Sequence, residues 1–470
     1  MRIYLLFIFI MYFIPAIVIA DSDDLAAHAA TADIEASSAL YISANSYIQN
    51  PYINMPSLTG TRYTSESVIQ LQNVAQKWFT DGTWNVIGEA SYINQNGANN
   101  YGYGANIFAQ TGYVAGFSFG GFLTIMNPVL SSNINPSNPS SQAQSLPIDQ
   151  QIGLQELFVE YQKDNIVQVD AGYIGINNSP WLTYYLNTFL NLVTYRGSSV
   201  NIHPGGGWLL TGVVFDDTQL LGEDGFSQQT LYNQSVYNFG PSTSNTGNNG
   251  SPSTIALGAN WSTPLDNLGV RLWDYQFTDY ANLAYIDSTL KFPVTSDLSF
   301  NLAAQGGIEG GNGNDVFANA GYGTVSSNII GMQGGINYDI FLLQFGYNNV
   351  WGSSTAYGGG DIVSPYTYQY ATDPLYTTAW IFGLVEKSAG SAYKITPALN
   401  LLDNKLQLST SYAYYATTAQ PPSSEYDLQI NYLIPQIKGL TVYGGFGYLL
   451  QSVEQGGNFY MGQVMLSYLY

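Results

Sequence analysis

The chain has 470 residues, 9% of them charged and 15% aromatic, with 39 Tyr and no Cys. Its 32 Asp and Glu against 11 Lys and Arg give a net charge of −21, which excludes nucleic-acid binding, since neutralising phosphates takes Lys and Arg. Without Cys there is no disulfide, iron–sulfur cluster or thiolate zinc site, and His28 and His203 cannot alone build a metal centre.

The first element is a secretion leader. After Arg2, residues 3–20 are almost wholly apolar, Val18 and Ala20 form a small-residue cleavage pattern, and the acidic run Asp21-Ser22-Asp23-Asp24 comes next. That order reads as a signal peptide over residues 1–20 rather than a retained anchor. The leader carries Arg2 and no acidic residue, so its removal leaves 450 residues with 10 basic and 32 acidic side chains. Residues 21–60 then read as a segment leading into the main domain, residues 61–470.

Beyond the leader no run of about 18 apolar residues occurs, and the mean hydropathy is −0.01. A helical membrane protein would be clearly apolar. A barrel with one lipid face and one wet face averages near zero. Period-two strands recur along the chain. Leu298, Phe300, Leu302 and Ala304 face away from Ser299, Asn301, Ala303 and Gln305. Residues 405–414 and 425–434 alternate in the same way. In the last segment Tyr460, Gly462, Val464, Leu466, Tyr468 and Tyr470 fall on one face, and Met461, Gln463, Met465, Ser467 and Leu469 on the other. The number of such strands, the Tyr load and the leader favour an all-β, antiparallel transmembrane barrel in a Gram-negative outer membrane over a soluble sandwich.

Connections come in two sizes. Short turn signals are Lys163-Asp164-Asn165, Leu265-Asp266-Asn267 and Asp403-Asn404. Long polar, Gly-rich stretches lie at residues 131–150, 240–254, 309–327 and 352–374, and are expected on the outer rim. Residues 376–400 read equally as one long strand or a hairpin. At about 25 residues per strand and connection, the length suggests roughly 18 strands, with 16 also compatible.

Four candidate sites are weighed against plainer readings. Gly116-Phe117-Ser118-Phe119-Gly120 has the form of a nucleophile elbow, but residues 113–120 alternate as a barrel strand, and His203 is the only downstream His. His203 with Pro204, Gly205, Gly206 and Gly207 reads as a turn before a strand at Trp208. Asp216, Asp217, Glu223 and Asp224 could hold Ca²⁺, yet their spacing suits a solvated acidic loop better. The Gly pairs at 307–313 lack the Lys-Ser/Thr of a phosphate loop.

Residues 177–197 stand apart. Trp181, Leu182, Tyr184, Tyr185, Leu186, Phe189, Leu190, Leu192 and Val193 do not alternate and are too apolar for a free loop. The segment either folds into the barrel and narrows it, or packs on itself outside.

From this point the residues resemble the OprD family of substrate-selective outer-membrane porins. Leu192-Val193-Thr194-Tyr195-Arg196-Gly197 resembles that family's Pro-Gln-Thr-Phe-x-Gly stretch. Tyr376-Thr377-Thr378-Ala379-Trp380 resembles a strand start after a long loop, and Tyr426-Asp427-Leu428 with Lys438-Gly439-Leu440 resembles the family's last strands. The likeness covers residues 155–470. It implies a constriction that includes Tyr185, Asn187, Phe189, Asn191, Tyr195 and Arg196, with Arg196 facing acidic side chains across the eyelet. The chain departs where the family has Asp, Ser and Arg before the Thr-aromatic stretch, since Asn187, Thr188 and Phe189 stand there. The family's basic ladder for anionic carboxylates also lacks enough Lys and Arg here.

The expected function is passive diffusion of small hydrophilic solutes, with cations preferred at neutral pH because Glu156, Glu160, Glu425 and Asp427 fall on polar strand faces. No cofactor, metal or catalysis is expected. Partners are outer-membrane lipid, the solutes or cations themselves, and the barrel-assembly machinery, which reads the terminal aromatic strand through Tyr468 and Tyr470. The barrel stands alone or as a trimer. The rivals are a surface adhesin or structural barrel, and more remotely an outer-membrane hydrolase using Ser118.

Overall fold

The computed structural model describes residues 81–132, 150–182, 193–219, 225–230, 232, 251–263, 267–367, 373–385, 388–453 and 456–469. The leader and the segment leading into the barrel lie outside them. The strands are β1 Thr83–Gln95, β2 Ala98–Gln110, β3 Phe117–Ser132, β4 Gln151–Lys163, β5 Val167–Ile174 and β6 Thr194–Gly205. Next come β7 Trp208–Gln219, β8 Thr254–Ser262, β9 Leu268–Phe277, β10 Ala281–Pro293, β11 Leu298–Gly311 and β12 Ser326–Tyr338. The series ends with β13 Phe341–Gly352, β14 Gly390–Leu401, β15 Leu406–Thr417, β16 Ser423–Leu433, β17 Leu440–Leu450 and β18 Phe459–Leu469.

Every strand pairs antiparallel with its neighbours in sequence, and β1 pairs with β18 from Ile87 opposite Leu469 to Gln95 opposite Met461. The sheet therefore closes into an 18-stranded barrel.

The alternation decides which face is which. On β18, Val464, Leu466 and Tyr468 are exposed, whereas Met461, Gln463, Met465 and Ser467 are buried. On β16, Tyr426, Leu428 and Ile430 are exposed, whereas Glu425 and Asp427 are buried. Apolar groups outside and polar groups inside invert a soluble protein's arrangement and suit a bilayer. Aromatic side chains mark both edges of the apolar band. Near the rim with short turns stand Trp84, Trp208, Phe292, Tyr338 and Tyr468, all exposed. Near the opposite rim runs a cross-strand tyrosine row, Tyr347–Tyr393–Tyr414 and Tyr412–Tyr426–Tyr448–Tyr460.

Turn chemistry follows the sequence signals. Asp164, Asn165, Asp403 and Asn404 all take positive φ, as Asp and Asn in tight hairpin turns do. Gly205, Gly206 and Gly207 turn the chain between β6 and β7 with φ of 90°, 62° and 80°. His203 lies within β6 rather than in that turn, its N–H donating to the Ile166 carbonyl at 2.7 Å.

Three local expectations change. Residues 113–116 are a turn and not strand, with Ala115 and Gly116 at positive φ, so β3 starts at Phe117. The polar stretch at 309–327 is shorter as a loop, because β11 runs to Gly311 and β12 starts at Ser326; Val316–Asn319 between them forms a one-turn helix that buries Phe317. Strand β14 begins only at Gly390, and although residues 353–355 are exposed, the connection turns inward from Ile362, where Val363, Tyr366, Trp380 and Ile381 pack against the barrel's inner wall.

Alanine at Gly206 and at Gly207 separates backbone strain from collision. Each would place a Cβ at positive φ, a cost of about 1–2 kcal/mol. The new Cβ at 206 comes no closer than 3.9 Å to the Trp208 side chain, whereas at 207 it collides with the Ser262 carbonyl. Gly207→Ala should therefore lower the midpoint of the heat-induced mobility shift of the folded barrel more than Gly206→Ala does.

Candidate functional site: the barrel lumen

Among the described strand residues, the buried carboxylates facing the bore are those of Glu89, Glu156, Glu160, Asp170, Asp287, Glu309, Glu425 and Asp427. The basic groups facing it are those of Arg271, Lys394 and, exposed near the rim with short turns, Lys291, which shares the strand face of Asp287. Arg271 donates through Nε to Asp287 Oδ1 at 2.8 Å and also pairs through Nη2 with Oδ2. Asp287 thus cancels its charge, and the Tyr285 hydroxyl donates to the same carboxylate at 3.1 Å. Lys394 Nζ donates to the Thr378 carbonyl.

Several carboxylates are held by neutral donors. Glu160 accepts from Gln110 Nε2 at 3.1 Å and from the Tyr113 hydroxyl. Asp170, directly across the ladder from Glu160, accepts from Ser199 Oγ at 3.1 Å and Gln168 Nε2 at 3.1 Å. Glu89 accepts from Asn106 Nδ2 at 3.3 Å and Ser467 Oγ at 3.2 Å. Tyr113 lies in the β2–β3 turn, where burial and then the charge of Glu160 raise its hydroxyl well above the usual range.

Two connections enter the bore. The first comes after β5. Asn178 Nδ2 donates to Asn201 and Thr211 on β6 and β7. The Trp181 N–H donates to the Tyr275 hydroxyl at 3.3 Å, and the Trp181 ring packs edge-on against Tyr285 at 5.7 Å. Tyr275 stacks between Trp273 and Phe277 on the inner face of β9, at 5.6 and 5.5 Å. Trp181, Leu182 and Val193 are fully or almost fully buried in this cluster, so the described ends of the β5–β6 connection fold inward.

The second connection follows β13, and its described residues 361–367 and 373–385 line the bore from two sides as the limbs of a strap. Tyr366 packs edge-on against Phe215 at 5.1 Å and Tyr195 at 6.1 Å. The Val363 N–H donates to Glu309 at 2.9 Å. The strap's other limb carries Trp380 and Ile381 against β1, β17 and β18, beside Tyr443 and Met461. Asp373 accepts from Thr378 Oγ1 at 2.6 Å and from the Leu375 N–H at 2.9 Å, yet burial still pushes its pKa up to about 6.

The sequence-derived site residues divide into three groups. Glu156, Glu160, Glu425, Asp427 and Tyr195 face inward and are buried; Glu425 and Asp427 lie under the strap. Tyr185, Asn187, Phe189, Asn191 and Tyr470 fall outside the described residues, as do Glu223 and Asp224. Arg196 requires a correction. It sits on the outer face of β6, exposed, and pairs with Asp216 at 3.0 Å and Asp217 at 2.7 Å on β7, not with acids across an eyelet. The reason is parity: Tyr195 takes the inward position, and its neighbour must point out.

Ser118 is a buried strand residue whose hydroxyl donates to the Thr111 carbonyl at 2.8 Å, and the chain continues as strand rather than helix. Sequence reasoning misses the strap because its glycines and prolines read as an outer loop. Its spaced apolar residues Ile362, Val363, Tyr366, Leu375, Trp380 and Ile381 are the available signal.

No family model matches the sequence, and no curated protein matches it. Solved structures do match its fold. The outer membrane protein OpdK of Pseudomonas aeruginosa aligns with a TM-score of 0.68 at 14% identity, over 83% of this chain and 99% of that one. OprD of Pseudomonas aeruginosa aligns at 0.64 and 13% identity, over 84% and 96%. OccK2 of the same organism, solved in complex with glucuronate, aligns at 0.64 and 12% identity, over 84% and 99%. In strand number, closure and near-complete coverage, the chain has the fold of the OprD-like porins.

Proposed function

We propose that the protein is an outer-membrane porin through which small hydrophilic solutes diffuse passively, with cations preferred at neutral pH. The observation that carries this reading is the inward charge among the described residues: eight buried strand carboxylates against three basic groups, Arg271 and Lys394, both engaged, and Lys291 at the rim with short turns. A low-dielectric wall focuses such an imbalance into the channel. A neighbour solved in complex with glucuronate, OccK2, binds an anion. Here the Arg271 guanidinium is already neutralised by Asp287, so an anionic sugar acid has no inward arginine free of a carboxylate among the described residues. Outer-membrane residence is supported by the apolar outer band and its aromatic edges. Residues 183–192, with Tyr185, Asn187, Phe189 and Asn191, complete the narrowest part in this reading, alongside Tyr195.

Reversal potentials across a planar bilayer under a KCl gradient test the preference. At pH 7 the pore should favour K⁺. Carboxylates lose charge as they take up protons, so the preference should weaken as pH falls, Asp373 protonating at about 6, and be largely gone at pH 3, below the ordinary carboxylate range near 4. Anion selectivity at pH 7 would overturn the acidic-lumen reading, and a folded barrel without conductance would favour a sealed structural barrel.

Deleting residues 184–192 should raise unitary conductance severalfold in barrels that still assemble. Conductance equal to the parent would place that segment outside the pore.

Tyr468 projects outward beside the terminal ladder, where it suits recognition by the barrel-assembly machinery together with Tyr470. Removing residues 468–470 should leave secretion intact and abolish the heat-modifiable folded form; normal folded levels would sink this role.

A further inference from the structure

The limb of the strap that reaches β16 and β17 has no strand or helix to satisfy its backbone. Three successive N–H groups there meet two carboxylates of β16. The Trp380 N–H donates to Asp427 Oδ2 at 3.3 Å, the Ile381 N–H to Glu425 Oε1 at 2.5 Å, and the Phe382 N–H to Glu425 Oε2 at 3.0 Å. Ser411 Oγ steadies Asp427 at 2.6 Å. Carbonyls of the same limb are taken by the wall: Lys394 Nζ on β14 donates to Thr378 O, and the Tyr415 hydroxyl on β15 lies 3.1 Å from Thr377 O and 2.7 Å from Phe382 O.

The wall is also shaped for this limb. A Cβ at Gly445 would fall 2.8 Å from the Trp380 ring, and at Gly447 2.7 Å from Ile381 Cδ1. On β13, a Cβ at Gly346 would fall 2.6 Å from the Tyr376 carbonyl oxygen. Strand glycines normally weaken a sheet; here three of them receive the inserted segment. With no Cys in the chain, no disulfide ties the strap down, so its position rests on these hydrogen bonds and on this fit.

We propose that Glu425 is a positioning residue that locks the strap to the β16–β17 wall and thereby fixes the pore's aperture, with Asp427 and Lys394 completing the lock. The proposal rests on the pore reading for its consequence, but the lock itself is testable without conduction. Replacing Glu425 by Gln keeps the size and leaves one acceptor oxygen, so an amide NH₂ faces a backbone N–H. Asp in its place keeps the charge but is one methylene too short to serve both N–H groups. The wild-type pore should conduct at a single steady level. Glu425→Gln should split it into rapidly exchanging levels with at least a twofold rise in open-channel variance. Gly447→Val, which displaces Ile381 without touching any charge, should do the same, and Glu425→Asp should fall between.

The chain's lack of cysteine allows a second readout. In an Ala379→Cys background, where the site is buried, a water-soluble maleimide should label folded barrels at least tenfold faster once Glu425→Gln is added. Unchanged labelling together with unchanged channel noise in folded Glu425→Gln barrels would overturn the lock. Faster labelling in a protein that conducts nothing would uphold the lock and refute the pore.

Discussion

Closure of the backbone hydrogen-bond ladder between β1 and β18 is the constraint on which the rest of the structure depends. Hydrocarbon offers nothing to an unpaired N–H or C=O, and each one left there costs several kcal/mol. A sheet with an edge is therefore untenable in a bilayer, and pairing from Ile87–Leu469 to Gln95–Met461 removes the edge. Closure makes every strand two-sided, so a period of two along the sequence becomes a radial division between lipid and bore. It also fixes the width. Eighteen strands enclose more space than their own inward side chains fill.

That surplus space explains the two inserted connections. Trp181 on one and Tyr366 and Trp380 on the other supply the apolar bulk that a small globular protein would draw from a core. Inserting irregular backbone into a barrel raises a second problem, because its N–H and C=O groups leave water and must find partners. Glu309, Glu425 and Asp427 provide acceptors, and Lys394 and Tyr415 provide donors. Part of the chain's acidity thus serves the strap's backbone, a use distinct from both solvated loops and a charged channel. The same carboxylates leave the interior acidic wherever no base answers them.

The contrast between Arg271 and Arg196 shows how little a charge count says about location. Arg271 is buried in the bore against Asp287, whereas Arg196 stands on the outer face between Asp216 and Asp217. Each arginine is matched by carboxylates one strand away. Inside the bore, Asp287 cancels the charge of the Arg271 guanidinium.

The sequence by itself determined the barrel, its strand parity, its C-terminal strands and its Asp-Asn turns, because these depend on local alternation and local φ preference. Leu428 and Ile430 outward with Glu425 and Asp427 inward follow from period two alone. It also marked residues 177–197 as too apolar for a free loop, leaving open whether they fold inward or pack on themselves outside. The strap and the outward Arg196 were decided only in three dimensions. Residues 352–374 look like a solvent loop because their Gly and Pro carry no sign that Gly346, Gly445 and Gly447 on distant strands make room for Tyr376, Trp380 and Ile381. Whether Glu425 lines open water or holds backbone depends on a segment more than forty residues away folding over it, and the side of β6 that Arg196 takes depends on Tyr195 finding its place against Phe215 and Tyr366. Alternation is written along the chain; the filling of a bore is settled by contacts across it.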